Sequence, residues 1–167
     1  MKQKFGKKLK RVNKSLSLAH LLQKVLKFVA LRPRSRQEIL DYLRKKNPKD
    51  DSLRKKVLEE IESLGLIDDR EFAFWWIEQR ATFRPKGKKA LLAELKQKGL
   101  EENLIKEVIS EKVDEFSLAQ KLVEKRWPSL KKMPLALRQQ KLTGWLVQRG
   151  FSWETIKAIL DEIFKKK

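Results

Sequence analysis

The sequence predicts an all-α protein made of three tandem three-helix repeats that form an elongated, curved array. Apolar residues recur at helical spacing from Leu18 to Ile163, and no run of alternating β-branched residues marks a strand. Proline and glycine punctuate these segments where helices end. The segments also resemble one another at a fixed period, the sequence signature of a repeat architecture.

The first helix is expected from Ser17 to Ala30, with Leu18, Leu21, Leu22, Val25 and Val29 on one stripe. It stops at Arg32-Pro33, because the residue before proline is pushed out of helical angles. Ser35 and Glu38 read as a capping box, in which hydroxyl and carboxylate each satisfy an orphan amide. That box opens a second helix with Ile39, Leu40 and Leu43 inward, ending near Asn47-Pro48. A third begins about Asp51, carries Leu53, Val57, Ile61 and Leu64, and ends at Gly65, where glycine suits the residue after a helix. Asp68 and Asp69 are expected N-caps for a fourth helix, which buries Phe72, Ala73, Trp76 and Ile77 and carries Arg80 at the end of that face. After Phe83-Arg84-Pro85 a fifth helix holds Leu91, Leu92 and Leu95 and ends at Gly99. A sixth holds Leu104, Ile105, Val108 and Ile109. The seventh begins near Ser117 with Leu118, Ala119, Leu122 and Val123, and breaks at Trp127-Pro128. Beyond Pro134, an eighth holds Leu142, Trp145 and Leu146 up to Gly150, and Ser152 caps a ninth with Ile156, Ile159, Leu160 and Ile163.

The repeat is explicit in the residues. Leu31-Arg32-Pro33-Arg34 aligns with Phe83-Arg84-Pro85-Lys86 at an offset of 52, which also places Leu43 on Leu95 and Asn47 on Gly99. At 51, Leu95, Gly99, Ile105 and Val108 meet Leu146, Gly150, Ile156 and Ile159. Phe72-Ala73 and Arg80 meet Leu118-Ala119 and Arg126 at 46, leaving a five-residue insertion around Pro134 in the third unit. The expected organisation is a basic N-terminal tail over 1–16 and repeats over 17–67, 68–113 and 114–167, the last with a basic end. A three-helix unit of this size buries little core alone, so neighbours are expected to pack in series.

Composition narrows the function. A formal charge of +19 and a pI near 10.2 point to a polyanionic partner: nucleic acid, a nucleoprotein surface or an anionic membrane. The chain has no cysteine, which excludes disulfides and thiolate metal sites and is compatible with a reducing cytoplasm, the expected location. No apolar run reaches the roughly 18 residues of a membrane span. The first fourteen residues carry +7 without an apolar stretch behind them, so they read as a solubilising or phosphate-contacting tail and not as a secretory signal.

Catalysis finds little support. His20 is the only histidine, with no second histidine or cysteine to share a metal. The runs Glu59-Glu60-Glu62 and Glu101-Glu102 read as solvated faces, and no phosphate-cradling glycine loop is present. No catalytic residue, metal or cofactor is expected. The basic cluster of unit two has more content: Arg80, Arg84, Lys86, Lys88, Lys89, Lys96 and Lys98 face the lone acid Glu94, with Gly87 letting backbone approach a partner. The competing reading is a solvated helix face. A similar density recurs in unit three: Lys121, Lys125, Arg126, Lys131, Lys132, Arg138, Lys141 and Arg149 against Glu124. Arg80 and Arg126, each closing an apolar stripe, are expected to be architectural and to snorkel or find a carboxylate or carbonyl. Among the tryptophans, Trp76 and Trp145 belong to core stripes, while Trp75 is the candidate for a contact between units or with a partner.

Several of these residues, in order and spacing, resemble the bacterial RecX family of regulatory proteins. In unit one they are Leu31-Arg32, Ser35-Arg36, Glu38 and Leu43. Unit two matches most strongly, through Gly65-Leu66-Ile67-Asp68-Asp69, Phe72-Ala73, Arg80, Lys86-Gly87, Leu91, Glu94-Leu95 and Lys98-Gly99-Leu100; unit three keeps the apolar spacing and Arg149-Gly150-Phe151. The resemblance spans about residues 18 to 163. It implies three three-helix repeats, and a protein that binds the RecA recombinase and its filament on single-stranded DNA, lodges in the filament groove and modulates, usually inhibits, recombination in DNA repair and the SOS response. Some members also bind DNA directly. The expected partner residues are Arg84, Lys86, Gly87, Lys88, Lys89, Lys96, Lys98 and Trp75. The expected structural set is Asp68, Asp69, Phe72, Ala73, Arg80, Leu95, Gly99, Arg126 and Gly150. A monomer without a membrane partner is expected, and a DNA-binding module that acts without a recombinase stays open as the alternative.

Overall fold

The computed structural model describes residues 17–164, and the basic tail and the last three lysines lie outside them. The described residues form nine α-helices and no strand: α1 (Leu18–Val29), α2 (Arg36–Lys46), α3 (Asp51–Ser63), α4 (Asp69–Phe83), α5 (Lys88–Gln97), α6 (Glu102–Lys112), α7 (Glu115–Arg126), α8 (Leu135–Gln148) and α9 (Trp153–Phe164). They pack in threes, α1 with α2 and α3, α4 and α5 against α6, and α7 and α8 against α9.

Caps explain most boundaries. Ser17, Ser35, Asp50, Asp68, Glu101 and Asp114 each accept a backbone amide from the first turn of their helix. At the other end, Gly99 and Gly150 take φ of +80° and +74°, a conformation costly for a residue with a Cβ. This turn lets Leu100 N–H and Phe151 N–H reach back to the carbonyls of Leu95 and Leu146, and it buries Leu100 and Phe151 beneath the helix end.

The structure departs from the sequence reading at one boundary and in the exposure of two leucines. Helix α7 starts at Glu115, because Asp114 rather than a later residue accepts from Ser117 N–H. At the expected break, α7 ends at Arg126 and a 3-10 turn over Trp127–Ser129 follows, which tolerates Pro128 because proline lacks only an amide that a first turn leaves unpaired. Leu18 and Leu64, expected inward, are 42% and 53% exposed, because they sit at the first residue of α1 and the cap beyond α3, past the neighbouring helices.

The core is divided unequally. Leu21, Val25, Ile39, Leu43, Val57, Leu58 and Ile61 form one cluster within unit one. Units two and three share a single larger one, running from Phe72, Ala73 and Leu95 through Val113 and Ala119 to Leu146 and Ile159.

Consecutive units join through their middle helices, end to end. Ser35, the N-cap of α2, is buried and donates its Oγ–H to the Lys98 carbonyl at the end of α5, 2.7 Å away. One unit on, the N–H of Gly87, the N-cap of α5, donates to the Arg149 carbonyl at the end of α8 at 2.9 Å. A carboxylate from the following unit completes each joint. Asp69 accepts the first α2 amide, Arg36 N–H, at 2.8 Å, and Glu115 accepts the first α5 amide, Lys88 N–H, at 2.7 Å. Asp69 and Glu115 are the first residues of α4 and α7 and stand 46 apart, the offset of their helices. Each joint thus satisfies orphan groups of two helix ends and sets a positive helix start against a negative helix end. Asp69 is therefore not a cap of its own helix, a role Asp68 fills by accepting from Arg70 N–H and Glu71 N–H.

Candidate functional site

The basic cluster of unit two separates into inward and outward halves. Glu94, its lone acid, accepts from Trp76 Nε1–H at 3.0 Å and Arg80 Nε–H at 2.8 Å, and Lys86 Nζ pairs with its other oxygen. Arg80 also lies over the Trp76 ring at 4.4 Å. Burial would push the Glu94 carboxyl up, but the hydrogen bonds from Arg80, Lys86 and Trp76 outweigh it and hold the group below its ordinary value. Arg80 and Lys86 are thereby engaged inside unit two.

Lys98 is engaged across a joint. Its ammonium lies 2.7 Å from Glu38, whose carboxylate also accepts a bidentate pair from Arg32 at 3.0 and 3.1 Å. Arg32 stands 5.0 Å over Trp75, and Lys98 stands 4.9 Å over Trp76. Trp75 is a contact between units one and two, packed against the larger core. The capping box is half formed as a result: Ser35 Oγ accepts from Glu38 N–H at 3.1 Å, while the Glu38 side chain turns to the two cations. Burial of Glu38 is likewise outweighed by Arg32 and Lys98, which lower its carboxyl.

Gly87 needs correction as a partner contact. It is buried, and a Cβ built there would lie 2.3 Å from the Gly150 carbonyl oxygen and from Phe151 Cα. The close backbone approach its size permits is to unit three of the same chain.

Arg84, Lys88, Lys89 and Lys96 remain outward and exposed. The side chains of Arg84, Lys88 and Lys89 make no ion pair among the described residues, and Lys96 pairs with Glu102 at 2.5 Å. Lys88 and Lys89 rim a shallow groove of about 270 Å³ between α5 and α6, with Leu92 and Ile109 as its apolar lining and Lys106 and Ser110 opposite. In unit three, Lys121, Lys125, Lys131, Lys132 and Lys141 are exposed, whereas Arg138 donates to the carbonyls of Lys131 and Met133, and Arg149 to that of Pro85.

Two carboxylates matter more than sequence reasoning allowed. Glu94 had a visible signal, a single acid among seven cations. Glu115 had none: a glutamate opening a helix is ordinarily solvated, yet this one is buried and accepts from Lys88 N–H, Ser152 N–H and Thr155 Oγ1–H.

Fold and surface together define an all-α repeat protein whose middle unit presents uncommitted cations. Its second and third units match the family models for the second three-helix domain of RecX, over residues 68–109, and the third, over 113–160. The chain belongs to the RecX family of regulatory proteins. It is 34% identical over 135 residues to the regulatory protein RecX of Pelodictyon phaeoclathratiforme, covering 81% of this chain and 83% of that one. To that of Chlorobaculum tepidum it is 35% identical over 144 residues, 86% of each. Among solved structures, RecX from Lactobacillus salivarius superposes with a TM-score of 0.74 at 22% identity, over 87% of this chain and 96% of that one, which shows the shared fold.

Proposed function

We propose that this protein binds the RecA recombinase filament on single-stranded DNA and restrains its activity, acting in the cytoplasm as a monomer in DNA repair, recombination and the SOS response, without a cofactor or chemistry of its own. On this reading residues 17–67, 68–113 and 114–167 are the repeat units, and the 1–16 tail adds phosphate contacts. The observation that carries it is the outward, unpaired set Arg84, Lys88 and Lys89 on a family regulator whose other basic residues at this cluster are mostly tied internally. Uncommitted cations on a firmly packed surface attract a polyanionic partner without reorganisation. No helix among the described residues is long and apolar enough to cross a membrane.

The test is RecA-catalysed strand exchange titrated with wild type and with the triple variant Arg84→Glu, Lys88→Glu, Lys89→Glu. The variant should need at least about tenfold more protein for equal inhibition while its circular dichroism and melting stay unchanged. Equal inhibition by both proteins removes these residues from the interface. The abundance of lysine also favours direct DNA binding as a second reading, and tight, sequence-dependent binding to naked duplex without preference for the filament would establish it.

A further inference from the structure

We infer that the groove between α5 and α6 is a docking site for a protein segment, specifically an acidic peptide carrying apolar anchors, and not a track for a phosphate backbone. This rests on the reading that the partner includes a protein. Leu92 and Ile109 line the groove, uncommitted Lys88 and Lys89 stand on one side, and Lys106, which is paired with Glu102 at 2.8 Å, stands on the other. A sugar-phosphate chain would satisfy the lysines but gain nothing from an aliphatic floor. An acidic segment with apolar side chains spaced by a helical turn would satisfy both, the recurrent helix-in-groove arrangement with charge added at the rim.

The repeat supplies an internal control. On the offsets of the middle helices, Lys88 and Lys89 correspond to Arg36 and Gln37 in unit one and to Gln139 and Gln140 in unit three. Arg36 is tied to Glu62 at 2.7 Å, and the other three carry no charge. Only the middle unit combines this position with two uncommitted cations. The backbone beneath them is anchored, since Lys88 N–H is held by buried Glu115. The groove rim is therefore presented by a fixed helix start, favourable for docking because little ordering remains to be done on binding.

Two measurements on the full chain decide it. In the first, fluorescent peptides of about a dozen residues are titrated, one all-glutamate and one with leucines a helical turn apart among the glutamates. The leucine-bearing peptide should bind at least about tenfold tighter, and Ser110→Trp, which fills the groove from an exposed position, should abolish that advantage. Equal affinity for the two peptides, or an advantage that survives Ser110→Trp, overturns the proposal. In the second, Ser110→Trp and the double variant Lys88→Gln, Lys89→Gln are compared with wild type for binding to the RecA filament and to naked single-stranded DNA. Both variants should lose filament affinity by about tenfold and keep wild-type DNA affinity. Variants that lose DNA affinity in parallel assign the lysines to phosphate and overturn the docking site. A wild-type chain that ignores the filament yet discriminates the peptides would sink the proposed function while leaving the groove assignment standing.

Discussion

The two joints of the array share a backbone plan and differ in what surrounds it. In both, a middle helix starts on the end of the next middle helix, and a carboxylate from the next unit holds its first amide. Around the joint of units two and three the hydrophobic core is continuous, and Gly87 lets the backbones touch. Around the joint of units one and two the cores are separate, and the Glu38–Lys98 ion pair, with Arg32 bound to Glu38 and lying over the Trp75 face, carries the contact. Apolar burial is not weakened by charge screening, whereas part-exposed ion pairs are screened by salt and individually modest. One repeat geometry therefore yields a fused pair of units and an arm attached by polar groups.

The largest effect should come from Gly87→Val. The added atoms meet backbone that cannot swing aside, so urea unfolding should show a loss of about 3 kcal/mol or more. A neutral outcome would mean that the joint of units two and three is not tightly closed. At the other joint, Ser35→Ala removes a helix cap and the bond to the Lys98 carbonyl, with an expected loss of about 1–2 kcal/mol by the same measurement. Smaller still is Glu38→Gln, at about 1 kcal/mol, with a distinctive dependence on conditions. The Glu38 carboxyl is lowered in the fold, so its contribution is present above the ordinary value of 4.5 and is lost as pH falls through the lower folded value. Asp69 at the same joint has the opposite sign: burial raises its carboxyl despite the Arg36 amide, so its ionisation opposes folding as pH rises through the carboxylate range. The Gln variant should accordingly flatten the acid limb of the stability curve, and high salt should shrink its difference from wild type. A difference independent of pH and salt would refute the electrostatic account of this joint.

Within the units, one pair of positions shows how far side chains diverge on a common backbone. Phe28 and Tyr42 stack at 4.2 Å in unit one, Arg80 and Glu94 form an ion pair in unit two, and Arg126 lies 5.3 Å over Trp145 in unit three. These are the same two places on the repeat offsets, with an aromatic pair, a salt bridge and a cation over a ring. Arg126 is exposed, so Arg126→Ala should cost less than about 1 kcal/mol, the smallest of these effects, measured by thermal melting. A cost equal to that of Glu38→Gln would show that exposure does not rank these contacts.

The helices were legible because their evidence is local: apolar spacing, a capping side chain, a glycine after the last turn. The repeat was legible too, since offsets compare the chain with itself. Ser35, Asp69 and Gly99 stand out in the sequence as residue types suited to helix ends, but the groups they meet across the joint, the Lys98 carbonyl, Arg36 N–H and the Gln37 side chain, do not. By residue type Asp69 suits a cap of its own helix and Gly87 a point of approach for another molecule, whereas each serves the joint with a neighbouring unit.

By itself, then, the sequence determined the all-α class, the three-fold repetition, the family resemblance and an excess of positive charge. Only the tertiary structure decided which charges are free. A lysine in a sequence declares its charge but not its partner, and a carboxylate distant along the chain, such as Glu38 for Lys98, pairs with it through packing between units. Pairing with Glu94 inside unit two and with Glu38 across the joint withdraws Lys86 and Lys98 from the surface and leaves Arg84, Lys88 and Lys89 to face outward, because ion pairing depends on distances of a few ångströms that only the folded chain sets.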